Sequence, residues 1–187
     1  MKILHLSSGK QSSGAFRGAY LLHKNLLNLG IDSNLLKNHE DTKNSKTENV
    51  STINNKIFNK LKSKIFFILE KLPKVFFIKR EQTSFSNNFF GENILKNKQF
   101  EQADLIHFHW INNGFIDLEI IKKINKPIVW TLRDMWPFTG GCHYSLGCNK
   151  FTNECGRCPQ LGSNFKYDLS FFLQKRKLNF FKKKIYF

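Results

Sequence analysis

The sequence predicts an α/β fold in which a Rossmann-like parallel sheet is flanked by helices. Two observations predict this class. A strand–helix–strand unit opens the chain, and short apolar runs followed by polar loops alternate with helical periodicity further on. The chain has 187 residues, enough for one domain with a full hydrophobic core. Its hydrophobic fraction of 41% argues against a disordered polymer.

The opening unit is defined by its apolar spacing. A buried strand is predicted over residues 2–7, and a loop rich in glycine and serine follows it. The helix over residues 16–29 has apolar residues at three-to-four spacing, with Ser13 as its N-cap and Gly30 as its C-terminal stop. A second strand over residues 31–36 completes the unit.

An insertion is predicted over about residues 38–100. Residues 38–55 have little apolar content and are expected to form an exposed loop or a disordered segment. Apolar residues between 57 and 72 then share one arc of a helix that ends near Pro73, with lysines on the neighbouring arc. This basic amphipathic helix is compatible with core packing, with shielding of a groove, or with attachment to an anionic bilayer.

The alternation resumes after the insertion. Strands are predicted over residues 103–110 and 127–132, a helix over 116–124, and a last helix from Asp168 that includes Phe180 and Phe181. Ligand sites in open parallel sheets lie beyond the carboxyl ends of the strands. The loops after Ser7, His109 and Leu132 are therefore predicted to converge on a functional site.

The first loop and the helix after it offer ligand-binding groups. Free backbone N–H groups at a helix N-terminus favour anions, so Gly9, Ser13 and Gly14 are candidates to hold a phosphate or a sugar. Arg17, on the first helical turn, could reach a phosphate. An ordinary strand-to-helix turn with a solvated arginine remains the alternative.

His107 and His109 lie two residues apart on a strand and therefore face the same side. They could bind a metal or a sugar hydroxyl, or one could pack while the other is exposed. His109 is favoured for ligand contact because it is nearer the carboxyl end of the strand.

Four cysteines lie within 17 residues with the spacing C-x5-C-x6-C-x2-C. They are Cys142, Cys148, Cys155 and Cys158. The chain opens without a secretory signal, which predicts a cytoplasmic protein in which disulfides are disfavoured. Four thiolates with a terminal C-x-x-C suit a tetrahedral structural zinc, and free or redox-paired thiols are the alternative.

The segment 131–144 reads T-L-R-D-M-W-P-F-T-G-G-C-H-Y. It resembles the signature of glycosyltransferase family 4 enzymes that build capsular polysaccharides and exopolysaccharides. Residues 13–24, 103–112 and 155–161 agree with the same family in the same order. Apart from the insertion, the resemblance extends from Met1 to roughly Lys184. It implies that residues 1–187 form the N-terminal, acceptor-side domain of a GT-B fold, with a cysteine knuckle at 142–158.

The resemblance also implies a reaction. Such an enzyme transfers a sugar, with retention of configuration, from a nucleotide sugar to a lipid-linked or saccharide acceptor in cell-surface polysaccharide biosynthesis. The nucleotide sugar binds mainly to a C-terminal donor domain, which this sequence is not expected to contain. A separate donor domain is therefore a possible partner, and the chain alone is expected to transfer no sugar. A truncated, inactive product is the alternative.

Residue roles follow from the same resemblance. Gly9, Ser13, Gly14 and Arg17 are expected to contact phosphate or acceptor, His109 and Trp110 to contact the sugar acceptor, and Arg133 and Asp134 to lie beside the reacting centre. Family members usually have His where this chain has Arg133. Arginine cannot act as a base near neutral pH but can clamp a hydroxyl or a phosphate oxygen. Asp134 is expected to orient Arg133 or an acceptor hydroxyl, or to cap the following turn.

The net charge of +16 invites nucleic acid, anionic lipid or a phosphorylated substrate as a partner. A zinc-stabilised nucleic-acid-binding protein is the second hypothesis, but the basic residues do not follow a recognised nucleic-acid fold. The apolar stretch 65–78 is interrupted by charges and is too short to span a bilayer. Because the family that this chain resembles often acts on lipid-linked acceptors, the resemblance implies a cytoplasmic protein that binds peripherally to the inner face of the membrane.

Overall fold

A computed structural model of the chain describes residues 1–9, 12–38, 49–53, 57–179 and 185–187, and for residues 57–60 and 63 it describes only the backbone. The strands, numbered in chain order, are β1 (Lys2–Leu6), β2 (Asp32–Lys37), β3 (Val50–Thr52), β4 (Leu105–Phe108), β5 (Ile128–Trp130) and β6 (Ile185–Tyr186). The helices are α1 (Gly14–Asn28), α2 (Ile57–Val75), α3 (Lys98–Gln102), α4 (Leu118–Lys123) and α5 (Leu169–Leu178).

Within the described residues the strands form one sheet in the order β3-β2-β1-β4-β5-β6, and every pair in it is parallel. The α/β class with a Rossmann-like parallel sheet is confirmed. Strands β2 and β3 are added on one side of β1, and strands β4, β5 and β6 are then added on its other side. The strand order therefore reverses between β1 and β4, and ligands of such sheets bind beyond the carboxyl ends at this point.

The two faces of the sheet differ in character because side chains alternate along each strand. Leu4, Leu6, Ile106 and Phe108 point to one face and are fully buried in the main hydrophobic core. The opposite face carries His5, Ser7, His107 and His109 and is covered by α1, which contributes Phe16, Ala19 and the buried His23. A polar, histidine-rich layer thus lies between the sheet and α1.

The ends of α1 agree with the sequence prediction. The Ser13 side chain accepts a hydrogen bond from the backbone N–H of Phe16 at 3.4 Å, as an N-cap does. Gly30 has a φ of +74°, the left-handed conformation that commonly ends a helix. Asp168 likewise caps α5, while Phe180 and Phe181 lie outside the described residues.

The loop prediction for residues 38–55 is wrong in part. Val50–Thr52 form β3, which pairs with β2 at the edge of the sheet. A strand of three residues is too short to show a period in the sequence, and its neighbours are polar. Residues 39–48 and 54–55 of the predicted loop lie outside the described residues.

The helix α2 extends two residues beyond Pro73, to Val75. Its inner face is fixed by Glu70, whose carboxylate accepts hydrogen bonds from the backbone N–H groups of Asn87 and Asn88. The apolar arc does not pack in the core. Leu61, Ile65, Ile68, Leu72 and Val75 are between 46% and 62% exposed. None of the described helices has the length and apolar character to cross a membrane.

Candidate functional site

The loops after β1, β4 and β5 meet at the reversal point of the sheet. The backbone N–H and the hydroxyl of Ser8, after β1, both donate to the carbonyl of Trp110, after β4. Gly9 has a φ of +108°, and a β-carbon there would lie 2.9 Å from the hydroxyl of Ser13. The first loop is therefore held close against Trp110, and only glycine fits this position.

Three histidines form a cluster beneath these loops. His5 and His107 are register partners on β1 and β4, and the ring centroids of His107 and His109 are 4.3 Å apart. One nitrogen from each of the three lies within 4.8 Å of the others. Burial, and then neighbouring positive charges, lower the pKa of His5 to about 3, of His107 to about 4 and of His109 to about 2. All three rings are neutral at pH 7.

The hydrogen bonds of this cluster fix its tautomers. Arginine has only donors, so Nη2 of Arg133 donates to Nδ1 of His109, 3.1 Å away. The ring proton of His109 therefore lies on Nε2, which donates to Nδ1 of His5 at 3.1 Å. The His5 proton then lies on Nε2, a buried atom for which the described residues provide no hydrogen-bond partner. This chain of neutral rings orients the Arg133 guanidinium.

The guanidinium of Arg133 lies directly over Gly18 of α1. A β-carbon on Gly18 would be 2.6 Å from Nη1 and 2.8 Å from Nη2 of Arg133. Glycine inside a helix destabilises it by about 1 kcal/mol relative to alanine. Here the missing side chain leaves the space that the guanidinium occupies. Arg133 is exposed on its other side, where it faces the carboxyl edge of the sheet.

Asp134 holds the neighbouring aromatic groups. Its Oδ2 accepts from Nε1 of Trp110 at 2.8 Å and contacts Nδ1 of His143 at 2.5 Å, and its Oδ1 accepts from the backbone N–H of Trp136 at 2.9 Å. Burial opposes ionisation, but the hydrogen bond and charge of His143, followed by the two tryptophan N–H groups, hold the pKa of Asp134 below its usual range. Asp134 therefore caps the following turn and positions Trp110, and its hydrogen bonds do not go to Arg133.

The residues predicted to bind substrate or to act in catalysis fall into three sets. Trp110, Arg133, Asp134, Gly9 and Ser13 lie together at the carboxyl edge. Gly14 and Arg17 are exposed on the first turn of α1. His109 was expected to contact ligand, yet it is 2% exposed, because Arg133 and His5 occupy both of its ring nitrogens.

Sequence reasoning missed four residues of the site: His5, Gly18, Thr131 and His143. Thr131 bonds Nε2 of His107 at 2.8 Å, and His143 bonds the hydroxyl of Ser86 at 2.9 Å. His5 could have been found from the sequence, because it lies two residues before Ser7 on the predicted strand and therefore faces the same side. A glycine inside an otherwise regular helix was the signal for Gly18.

The four cysteines line one small cavity of about 20 Å³ in the irregular segment between β5 and α5. All four are free, and Cys155 and Cys158 are buried. Burial raises the pKa of Cys155 to about 12 and that of Cys158 to about 11. As metal-free thiols, Cys155 and Cys158 are therefore neutral at pH 7.

Two groups of side chains have metal-ligating chemistry, and they differ in their surroundings. A cation at the histidine cluster would lie beside the Arg133 guanidinium and would compete for nitrogens that already hydrogen bond each other. The histidines are better suited to orient Arg133 than to bind metal. The cysteine cavity offers four thiols, the ligands that structural zinc prefers, and is the better metal site although the buried Lys177 lies beside it.

The strand order defines a Rossmann-like α/β protein, and the polar groups at its reversal point form a candidate site at the carboxyl edge of the sheet. No family model matches the chain, and no solved structure matches it significantly. Over 68 residues the chain is 31% identical to a protein of Escherichia coli (strain K12) with the provisional name colanic acid biosynthesis glycosyl transferase WcaC. The similarity covers 32% of this chain and only 17% of that protein's length.

Proposed function

We propose that the chain is the acceptor-binding half of a retaining glycosyltransferase of family 4. It acts in the transfer of a sugar from a nucleotide sugar to a lipid-linked or saccharide acceptor during cell-surface polysaccharide biosynthesis. The partial similarity to a glycosyl transferase supports the reaction class. The observation that carries the proposal is the oriented pair of Arg133 and Trp110 at the reversal point of a parallel sheet.

These two side chains have complementary chemistry for a glycosylated phosphate. The Arg133 guanidinium can donate two parallel hydrogen bonds to phosphate oxygens. The half-buried Trp110 ring offers an apolar face to a sugar, and Asp134 holds it by the indole N–H. The neutral His109 keeps the guanidinium in place without adding a competing charge.

The same geometry limits which groups can take the proton of the acceptor hydroxyl. In the reaction the bond from the sugar C1 to the diphosphate breaks, a bond from C1 to the acceptor oxygen forms, and the acceptor hydroxyl loses its proton. Arg133 cannot take this proton, and both ring nitrogens of His109 are engaged. The proton is therefore expected to leave on the departing diphosphate of the nucleotide sugar, while Arg133 holds the diphosphate of the acceptor.

A calorimetric titration tests the binding role with the full chain. A polyprenyl-diphosphate-linked disaccharide is expected to bind, and the free disaccharide is expected to bind less tightly because it lacks the charge that Arg133 recognises. Tight, salt-dependent binding of a DNA or RNA oligonucleotide, with no binding of the lipid-linked sugar, would favour a nucleic-acid-binding protein instead.

Gly18→Ala is expected to separate acceptor binding from stability. Alanine is the better helix former, so the free energy of unfolding should stay the same or rise by up to about 1 kcal/mol. Binding of the polyprenyl-diphosphate disaccharide should weaken several-fold, because the added methyl group displaces the guanidinium of Arg133. Urea unfolding and calorimetry measure the two effects. Unchanged affinity in a stably folded variant would contradict the role given to Arg133.

We also propose that the protein contacts the cytoplasmic face of a membrane through α2. The exposed apolar arc of α2 is accompanied by the exposed residues Lys64, Lys71, Lys79 and Arg80. A helix with an apolar face and basic flanks suits the surface of an anionic bilayer. Such a surface would place the site next to a lipid-linked acceptor.

Replacing both Ile65 and Ile68 with glutamine is expected to lower binding to phosphatidylglycerol vesicles about tenfold, because two apolar side chains lose their lipid contact. Vesicle sedimentation measures the effect, and phosphatidylcholine vesicles should bind less of the wild type. Leu21→Gln, an equally exposed position on α1, is the matched control and should bind normally. An equal loss in the control, or no binding of the wild type, would refute the membrane contact.

A further inference from the structure

We propose that Cys142, Cys148, Cys155 and Cys158 bind one structural zinc ion that fixes the segment between β5 and α5. This site does not depend on the proposed function, because it rests on the cysteine cavity alone. All four cysteines line the same cavity, although their sequence spacing extends over a whole irregular segment. A volume of about 20 Å³ holds one water-sized species and no more.

The backbone around the cysteines turns tightly. Two left-handed residues, Gly156 and Arg157, lie between Cys155 and Cys158, which both line the cavity. The backbone N–H groups of Leu161 and Ser163 donate to the Cys158 carbonyl at 3.2 Å and 3.1 Å and close a turn directly after it. Tight turns of this kind bring the two cysteines of a C-x-x-C segment to one site.

A second left-handed pair precedes Cys148. Leu146 has a φ of +49° and Gly147 has a φ of +84°. A β-carbon on Gly147 would meet nothing within 4 Å, so the glycine serves the turn rather than close packing. The turn carries Cys148 back toward the cavity that the other cysteines line.

A buried lysine lies beside the sulfur atoms. Lys177 is 2% exposed, donates to the carbonyl of Trp136, and interacts electrostatically with Cys142 and Cys155. Zinc with four thiolates has a double negative charge, so a buried amine is a compatible neighbour for it.

The sulfur atoms stand further apart than in a zinc complex. Among the described residues no three of the cysteine sulfurs lie within 4.8 Å of one another. Zinc–sulfur bonds of about 2.3 Å place tetrahedral sulfurs about 3.8 Å apart. Zinc would therefore draw the four together. Two hydrogen bonds already hold the segment against α5. The backbone N–H of Cys155 donates to the side chain of Gln174, and that of Cys158 donates to the side chain of Asp168.

The test is the zinc content of the untagged full chain. One zinc per chain should remain after desalting and should be released by a mercurial reagent. Cys155→Ser and Cys158→Ser should lose the zinc, whereas Ser145→Ala in the same segment and His5→Asn in the histidine cluster should retain it. Loss of zinc from His5→Asn with retention in the cysteine variants would overturn the assignment.

Two measurements on the wild type guard against variants that fail to fold. Cobalt substituted for zinc should give the thiolate-to-metal charge-transfer absorption of a tetrahedral sulfur site. All four thiols should resist alkylation until a chelator is added, as followed by mass spectrometry. A chain without zinc, thiols that react equally with and without chelator, or a disulfide between Cys155 and Cys158 would each contradict the proposal.

Discussion

Replacing Asp134 with alanine is expected to lower the free energy of unfolding by about 3 kcal/mol. The Asp134 carboxylate is 8% exposed and joins Trp110, Trp136 and His143 in one set of hydrogen bonds. Its removal would leave the indole N–H of Trp110, the backbone N–H of Trp136 and a ring nitrogen of His143 without their partner. Each unmet buried donor costs about 1 kcal/mol or more.

The contribution of Asp134 to the free energy of unfolding should decrease at acidic pH. Its folded pKa is depressed below the value in the unfolded chain, about 3.9. The stabilising contribution is therefore fully present above that value and is lost as the pH falls through the folded pKa. Urea unfolding of wild type and Asp134→Ala should show the full difference above about pH 5, and the difference should shrink as the pH falls below about pH 4.

Asp134→Asn is the matched control for charge. The amide oxygen can still accept from the backbone N–H of Trp136, so this variant should lose less stability than the alanine variant. The part of the acidic pH dependence that Asp134 contributes should be absent from this variant, because position 134 then carries no carboxyl group. A stability loss of Asp134→Ala that persists unchanged at pH 3 would show that the charge contributes nothing.

Arg133→Gln is expected to weaken binding of a polyprenyl-diphosphate disaccharide at least tenfold, which corresponds to about 1.4 kcal/mol. The side chain loses its positive charge and its paired donors, while the exposed position means that folding should be little affected. Arg133→Lys should recover part of the affinity, because it restores the charge but not the planar, two-pronged donor.

Two controls distinguish a specific loss from a general loss of positive charge. Lys24→Gln removes one exposed charge from α1 outside the carboxyl edge and should leave the affinity unchanged. In the Arg133→Gln background, Gly18→Ala should have no further effect, because the methyl group then has no guanidinium to displace. Additive losses in the double variant would mean that Gly18 and Arg133 act separately.

The periodic parts of the fold could be predicted from the sequence. The alternation of β1 and β4 and the three-to-four spacing of α1 are local patterns, and Ser13 and Gly30 mark the helix ends by their own conformational preferences. The short edge strands β3 and β6 have too few residues to show a period. The exposed arc of α2 has another cause: amphipathicity tells which residues share a face, but not which face the protein covers.

Of the candidate site, only the location could be predicted from the sequence. Rules for parallel sheets place it beyond β1, β4 and β5, and the structure brings Gly9, Trp110 and Arg133 together there. The partners of these residues could not be read from the sequence, because His5 and Gly18 reach Arg133 through long-range packing of β1 and α1. Asp134 is predicted to orient Arg133 or an acceptor hydroxyl, or to cap the following turn. In the structure it caps that turn at Trp136 and contacts His143, nine residues along the chain.

The indole N–H signals of the three tryptophans give the most direct test of acceptor binding at the carboxyl edge. Trp110 donates its indole N–H to Asp134 at this edge, whereas Trp130 is buried in the core against Phe108. In a ¹⁵N-correlated NMR titration of the full chain, a polyprenyl-diphosphate disaccharide should shift the Trp110 signal and leave the Trp130 signal in place. An unmoved Trp110 signal at saturating ligand, or a shift produced only by an oligonucleotide, would contradict the account.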